Sequence, residues 1–528
     1  PWLHVVLLRR IKFGIKSSRK AAFLFYKIKE SMMKTVAQLV SVLENGVCRG
    51  DNGKQITNLS TDSRKIEADG LFICLRGVHA DGHKFVASAM ANGAVAIICD
   101  HYLDEFPELT QIVVADTVAA MQTMVPFFYD YPARSLRMIG VTGTNGKTTV
   151  THMIAHILED AGYCVGIIGT VNTVINGVSE PVHNTTPDVD LLQNTLFRMR
   201  EAGVTHVVME VSSHALALGR VAGCKYDTAV FTNLTQDHLD FHKTMDNYAA
   251  AKAKLFAMVA ESEDNESKAA VINADDLYSK VMQDPVLHSR CRLLTYGQNK
   301  DAALYISDVA ISAQGAKGTL HYSGAQWPFT IQSSGMFNVY NSLAAVGAAL
   351  MEGIAMSRVL ASMASFIAVA GRFERVDEGQ NFTVIVDYAH TPDGLENILR
   401  TAREITDGRV LLAFGCGGDR DAKKRPIMGA VAAKLADSIV ITSDNPRSEN
   451  PEEIIREVYA GAQPNASATV TIACETDRAT AIYNIIAQAQ SGDVVLIAGK
   501  GHETYQILNS GTIHFDDREV AREALRGE

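Results

Sequence analysis

Between residues 35 and 131 short apolar runs, LFICL at 71–75 and VAIIC at 95–99 among them, alternate with stretches of helical periodicity, and this pattern predicts a small α/β domain. Pro132 and the Ala-Arg-Ser that follows read as a linker. A strand-like run at 138–141 then enters a glycine-rich turn and a helix-like segment over 147–161; strand, glycine loop and helix open a phosphate-binding βα unit. Further β-like runs at 204–210 and 228–231, with an Ala-rich helical segment at 338–351, predict a parallel sheet with helices on both faces. Beyond Gly371, apolar runs at 383–386, 410–414, 438–442 and 494–498 each give way to turn residues and then helix. That repetition predicts a doubly wound sheet whose ligands gather at the carboxyl ends of its strands.

The expected fold is therefore α/β, in three domains: a small N-terminal α/β domain over 33–134, a central P-loop-type parallel-sheet domain over 135–370, and a C-terminal Rossmann-like domain over 371–528. Length agrees, since 528 residues exceed one hydrophobic core and suit about three domains of roughly 150 residues. A net charge of −10 argues against wrapping a nucleic-acid backbone, and leaves small anionic substrates in play. The eight cysteines are scattered with no C-x-x-C pair, as suits reduced thiols in a cytoplasmic protein. Residues 1–32 are basic, with Arg9, Arg10, Lys12, Lys16, Arg19, Lys20, Lys27 and Lys29 among short apolar runs. No apolar stretch there approaches the roughly 18 residues that span a bilayer, so no stable membrane span is expected. We read this segment as an upstream extension, with Met32 or Met33 opening the functional protein, against the alternative of a basic amphipathic segment that touches membrane.

The segment GVTGTNGKTT at 140–149 carries the strongest local chemistry. Gly143 and Gly146 let backbone N–H groups approach phosphate oxygens, Lys147 supplies a point charge, and Thr148 offers a hydroxyl to Mg²⁺ at a helix N-terminus. The general NTPase spacing requires glycine at 141, where this chain has Val141.

The variant TGTNGKTT resembles the Mur ligase and folylpolyglutamate synthetase superfamily, and further motifs of that superfamily follow in order. The resemblance implies ATP binding by Gly143, Thr144, Asn145, Gly146, Lys147, Thr148 and Thr149, with Lys147 catalytic. MEVSSHAL at 209–216 puts Glu210, and TNLTQDHLD at 232–240 puts His238, where Mg²⁺ ligands are expected. YAAAK at 248–252 is similar to the family helix whose lysine is carbamylated, which implies an N6-carboxylated Lys252 in the metal set with Thr148, Glu210 and His238; Lys254 is the neighbouring decoy. GMFNVYNSLAA at 335–345 resembles the family segment that presents two asparagines, here Asn338 and Asn341, toward the adenine, a task that suits amides because they donate and accept at once. GRFE at 371–374 and VDYAHTP at 386–392 resemble the parts that close over ATP, with Arg372 near phosphate and Asp387 near ribose.

The ends of the chain point to one branch of the family. TDSR at 61–64 and HADG at 79–82 resemble uridine and diphosphate contacts, through Ser63 and His79. NTTP at 184–187, with Ser212 and Arg220, resembles the contacts to a UDP-N-acetylmuramoyl-peptide made through Asn184, Thr185 and Thr186. Leu218 stands where the family pattern has glutamine. GGDRD at 417–421, DNPR at 444–447 and GKGHE at 499–503 resemble the diaminopimelate-adding pattern, with Arg420, Asp444, Asn445, Pro446, Arg447, Gly499 and Glu503 as the pocket. Diaminopimelate differs from lysine by a distal carboxylate, which the planar guanidinium of Arg447 can bind with two parallel hydrogen bonds. The implied activity is an ATP-driven, Mg²⁺-dependent amide ligation joining meso-diaminopimelate to UDP-N-acetylmuramoyl-L-alanyl-D-glutamate through an acyl phosphate, in the cytoplasm and as a monomer. Its rivals are a lysine-adding ligase of the family, a folate polyglutamating ligase, and a P-loop ATPase or regulatory binder without ligase chemistry.

Overall fold

The structure, a computed structural model, describes residues 33–527 apart from Val78, His79, His183 and 262–266. His79 and the basic segment 1–32 therefore lie outside the described residues. The chain divides into two units, one running to Ile139 and including Tyr163–Asp227, the other made of Gly140–Gly162 and the residues from Thr228 onward.

In the first unit the run 71–75 belongs to the strand Gly70–Ile73, and alternation along it sends Leu71 and Ile73 to one core and Phe72 to another. The strand Ala94–Cys99 divides likewise, Ala96 and Ile98 on one face, Ile97 and Cys99 on the other. Burial on both faces is why these segments read as continuous apolar runs. They pair in parallel with each other and with Asn58–Ser60 and Thr110–Val113; Val47–Arg49 closes the edge antiparallel. Helix Thr117–Phe128, capped by Asp116, packs Met121, Met124 and Phe128 on one face, where Val189 and Phe197 of helix Val189–Glu201 join them. Strands Val165–Ile168 and His206–Glu210 pair in parallel in the same unit. The antiparallel hairpin Thr173–Ile175 with Val178–Glu180 follows, turned by Asn176 and Gly177 at φ 51° and 74°, the left-handed pair that a two-residue type I′ turn requires.

In the second unit the parallel strands Thr228–Phe231, Ala269–Asn273 and Arg292–Gly297 lie side by side. The sheet then changes character. Leu304–Ser312 joins in parallel over a short register, and Gly315–Tyr322 and Ala325–Ile331 continue as an antiparallel meander, which the purely parallel expectation for this region did not contain.

From Glu374 onward the strands order as Glu374–Val376, Thr383–Asp387, Val494–Ala498, Val410–Phe414, Ser438–Thr442 and Thr471–Glu475, all parallel except the first. The last strand in sequence is inserted second after the edge, so Asp387, Ala498 and Phe414 end side by side, a crevice of the kind in which open α/β sheets bind ligands. Helices Lys424–Leu435 and Pro451–Ala462 approach closely on one face because a Cβ at Gly429 would sit 2.1 Å from the Val458 carbonyl and one at Gly461 1.9 Å from that of Pro426. The opposite face carries helices Arg478–Ala487 and Asp517–Arg526.

The first residues of these two helices form an ion pair with no solvent exposure: Arg478 donates to Asp517 through Nε and Nη2, at 2.7 Å each. Arg478 also donates to the carbonyls of Ser443 (3.2 Å) and Ala498 (3.0 Å), thereby tying together the carboxyl ends of Ser438–Thr442 and Val494–Ala498, two strands with Val410–Phe414 between them. No helix among the described residues is long and apolar enough to cross a membrane. Asp517→Asn leaves the guanidinium buried without its counter-charge and is expected to cost about 3–5 kcal/mol, whereas the paired change Arg478→Met with Asp517→Leu recovers most of it. Urea denaturation of the single and double variants measures both.

Candidate active site

The strand Arg137–Thr142 ends in the turn 143–146, from which the helix Lys147–Asp160 starts. Two glycines make the turn possible. At Gly143 (φ 153°) a Cβ would lie 1.8 Å from Thr232 Oγ1, and at Gly146 (φ 84°) one would lie 2.2 Å from Asn341 Oδ1. The turn is held from outside: Asn233 accepts from the Thr144 N–H through its carbonyl (2.8 Å) and from the Asn145 N–H through its side chain (3.0 Å), and Thr232 donates to the Asn145 carbonyl (2.6 Å). A helix N-terminus behind such a loop is a site for phosphate.

Lys147 folds back over the turn and donates to the carbonyls of Gly143 (2.9 Å) and Thr144 (2.8 Å). Lys252, 1% exposed on the helix Met245–Ala260, donates to the same Gly143 carbonyl at 2.7 Å. Burial, and then the nearby Lys147, push the Lys252 amine well below the ordinary lysine range. Lys254, two residues on, is exposed. Thr148 is buried, and its hydroxyl accepts from Arg372 at 3.2 Å. His238 has a left-handed backbone (φ 54°) and lies edge-on to Tyr248, ring centroids 6.0 Å apart; Tyr248 in turn hydrogen-bonds Thr144 at 3.1 Å.

A cavity of about 470 Å³ opens beside the turn. Of the predicted nucleotide residues, Asn145, Gly146, Thr149, Asn338, Asn341, Arg372 and Asp387 line it; Gly143, Thr144, Lys147 and Thr148 belong to the same turn and helix start but not to the lining. Arg372 stacks on Tyr388, 4.3 Å from the ring centre. Asp387 accepts from the backbone N–H groups of Phe373 (2.6 Å) and Ala389 (2.7 Å), and burial raises its pKa. His502 packs on the same tyrosine at 5.0 Å; burial, then Arg372, push its pKa down to about 3, so the imidazole is neutral.

Sequence reading missed Asp393, which also lines this cavity. Its Oδ2 accepts from Asn145 Nδ2 (2.7 Å), Thr235 Oγ1 (3.1 Å) and Asn397 Nδ2 (3.3 Å), so one carboxylate oxygen joins the turn 143–146 to the helix Pro392–Glu404. Its position one residue past HTP was the available signal.

In the first unit Thr186 donates to the Glu210 carbonyl (2.8 Å) and accepts from the Ser212 N–H (3.0 Å), while Arg220 reaches the Thr186 carbonyl (3.5 Å) and pairs with Asp188 (2.8 Å). The Glu210 carboxylate is fully buried and accepts from the N–H (2.8 Å) and hydroxyl (2.9 Å) of Thr170, whose hydroxyl also meets Thr185 at 3.0 Å. Asn184 is exposed on the same loop. Ser63 is buried in the turn after Thr61, and Thr61 hydrogen-bonds Asp190 at the start of helix Val189–Glu201. Leu218 is 47% exposed and contributes its carbonyl, which accepts from Gln122 at 2.9 Å. The first unit also holds a cluster of His83, Asp100 and His101 with ligand-type atoms within 4.8 Å of one another. Asp100 there is committed to Arg76 (2.6 Å) and His83 Nδ1 to Asp81 (2.6 Å), a hydrogen-bonded frame for this part of the unit.

At the strand ends of the last sheet, Asn445 donates to Glu503 Oε2 (2.8 Å) and accepts from the Ile507 N–H (2.9 Å). Arg447 (φ 55°) donates through Nη1 to the Gly418 carbonyl (2.7 Å), and the Gly418 N–H donates to the Asn445 carbonyl (2.9 Å). A Cβ at Gly418 would lie 1.9 Å from the Pro446 carbonyl, so the glycine is what lets the two loops meet. Gly499 (φ 119°) lies against Asp444, its missing Cβ 3.1 Å from Oδ2. Arg420 is exposed, with Nη1 on the Asp419 carbonyl. Six of the seven predicted acceptor residues are thus within one contact of another of the set, and Arg420 stands at the rim.

Comparison with known proteins extends over the same stretches. Residues 55–125 match the Mur ligase family catalytic domain, 141–349 the Mur ligase middle domain, and 371–501 the Mur ligase glutamate ligase domain. A Bacillus cereus protein named UDP-N-acetylmuramoyl-L-alanyl-D-glutamate--2,6-diaminopimelate ligase is 44% identical over 93% of this chain and 98% of its own length. A protein of the same name from Geobacillus thermodenitrificans is 47% identical over 91% and 96%. A solved structure of a protein so named superposes with a TM-score of 0.66 at 33% identity, covering 94% of this chain and 99% of that one. The ADP complex of MurF ligase from Thermotoga maritima, 16% identical with a TM-score of 0.61 over 89% and 97%, shares the fold. With three family models matched in succession and relatives aligned almost from end to end, the chain belongs to the Mur ligase family.

Proposed function

We propose that this protein joins meso-diaminopimelate to UDP-N-acetylmuramoyl-L-alanyl-D-glutamate, coupled to cleavage of ATP to ADP and phosphate, a step of peptidoglycan synthesis in the cytoplasm. The observation that carries this reading is the likeness to relatives of that name, at 44% identity across 93% of the chain, with the set Asp444, Asn445, Pro446 and Arg447 intact. In this reading residues 33–134 bind the UDP sugar, 135–370 bind ATP and 371–528 bind the acceptor, in a monomer.

A carboxylate resists attack by an amine until one oxygen becomes a leaving group. The D-glutamyl carboxylate oxygen attacks the γ-phosphorus of ATP, the bond to the β,γ-bridging oxygen breaks, and an acyl phosphate and ADP result. The neutral amine of diaminopimelate then attacks the acyl carbon, phosphate leaves with the C–O bond pair, and the amine loses its extra proton to solvent. Lys147, Arg372 and the N-terminus of the helix Lys147–Asp160 hold the phosphates, which is electrostatic preorganisation rather than covalent chemistry. Asn338 and Asn341 face the base and Asp387 the ribose. Thr148, Glu210, His238 and a carbamate on Lys252 offer mostly hard oxygen ligands, which suits Mg²⁺. When bound, Mg²⁺ supplies further neutralisation of phosphate charge. Lys252 suits carbamylation because burial and the nearby Lys147 push its amine well below the ordinary lysine range, which favours the neutral form, the one that attacks CO₂.

Two measurements test the reading. With the UDP-sugar dipeptide and a panel of diamino acids, ADP is expected to form in a one-to-one ratio with amide. The kcat/KM for diaminopimelate should exceed that for L-lysine on the order of 10²-fold or more, and Arg447→Ala should remove most of that preference; ADP without amide, or a lysine preference, sinks it. Protein equilibrated with ¹³C-bicarbonate at neutral pH is expected to show a carbamate carbon signal that Lys252→Ala lacks and that disappears on acidification, because protonating the amine removes the nucleophile. Lys252→Ala is expected to lower kcat about 10²–10³-fold.

A further inference from the structure

The acceptor-pocket side chains converge on an ammonium that no motif role accounts for. Lys500, in the sharp turn between Gly499 and Gly501, has no solvent exposure. Its Nζ donates to Glu503 Oε2 (3.1 Å) and Asn445 Oδ1 (3.2 Å) and stands 3.8 Å from Asp444 Oδ1. Asn445 is fixed by this contact. Its Oδ1 receives two donors, Lys500 Nζ and the Ile507 N–H, so its Nδ2 must face the other way, where it donates to Glu503 Oε2 at 2.8 Å. Both of these donors to the Glu503 carboxylate therefore bind the same oxygen, Oε2. Asp444 Oδ1 is buried without a hydrogen-bond partner, because 3.8 Å is too long for one.

We infer that Lys500 is a specificity-determining positioning residue, one that sets both the aim of Glu503 and the charge of the acceptor pocket. This rests on reading residues 444–447 and 499–503 as the pocket. Asp444 and Glu503 together carry two negative charges and Lys500 one positive, so the pocket presents a single net negative charge beside the Arg447 guanidinium. That balance matches a distal centre carrying one ammonium and one carboxylate. Without Lys500 the net charge becomes −2, which repels the distal carboxylate and favours a purely cationic side chain such as that of L-lysine. Glu503 also loses one of the two donors that hold Oε2, so its aim loosens.

Lys500→Met keeps an unbranched side chain, one atom shorter, while removing the charge. Steady-state assays are expected to show the KM for diaminopimelate raised about tenfold or more, with kcat and the KM values for ATP and the UDP-sugar dipeptide within about threefold of wild type. The diaminopimelate-to-lysine ratio of kcat/KM should fall about tenfold. Adding Asp444→Asn to Lys500→Met returns the net charge to −1 and should recover at least part of that ratio, which a purely structural role for Lys500 would not produce. An unchanged KM for diaminopimelate, or a loss shared equally by kcat and the KM for ATP, overturns the inference. If Lys500→Met does not fold, Asp444→Asn alone carries the test: it makes the pocket neutral and should raise the diaminopimelate-to-lysine ratio, and a lower or unchanged ratio overturns the inference. A wild-type protein that does not prefer diaminopimelate would instead count against the proposed function, so the two failures are separable.

Discussion

The Gly143 carbonyl accepts from two lysines at once, Lys147 at 2.9 Å and Lys252 at 2.7 Å, inside a turn that has no space for a Cβ at either of its glycines. Two like charges on one buried oxygen repel, and burial penalises the charged form further. Lys252 is the more deeply buried of the two, and burial together with Lys147 pushes its amine well below the ordinary lysine range. The crowding arises because Thr232 and Asn233, in the loop after strand Thr228–Phe231, and Asn341, on helix Met336–Met351, come into contact with the turn, so its geometry is imposed from outside rather than by its own four residues.

A second hierarchy operates at the carboxyl ends of the last sheet. Arg478, neutralised by Asp517, binds the carbonyls of Ser443 and Ala498, the residues just before Asp444 and Gly499. With those two loops tied, Lys500, Asn445 and Glu503 meet at hydrogen-bond distance. The order of dependence runs from a solvent-free ion pair, to loop ends, to the side chains of Lys500, Asn445 and Glu503. Arg420, exposed beyond this chain of contacts, lacks such support and depends on its neighbours at the rim.

Much of this was legible in the sequence where the information is local. Runs such as 410–414 and 438–442 coincide with the strands Val410–Phe414 and Ser438–Thr442 because both faces of these strands are buried, and continuous apolarity is the consequence. The glycines of the turn 143–146 were readable for the same reason: φ and steric exclusion act on the residue itself. The Asn176–Gly177 pair is an equally local signal for the hairpin there, weakened by flanking strands of only three residues each. The antiparallel meander after residue 304 was less readable, since its outward positions alternate with buried ones too irregularly, across a bulge between Ser307 and Ala310, to fix direction.

By itself the sequence determined the element types, the order of the motifs and the kind of chemistry their residues can perform, because these depend on spacing within a few residues along one strand, loop or helix. Only the tertiary structure decided which of two lysines on one helix is buried, that Asp393 reaches Asn145 across 248 residues, that the strand Val494–Ala498 lies between Thr383–Asp387 and Val410–Phe414, and that two carboxylates share Lys500. Those outcomes are set by contacts between segments far apart in the chain, where burial and charge are properties of the assembled neighbours and no local pattern records them.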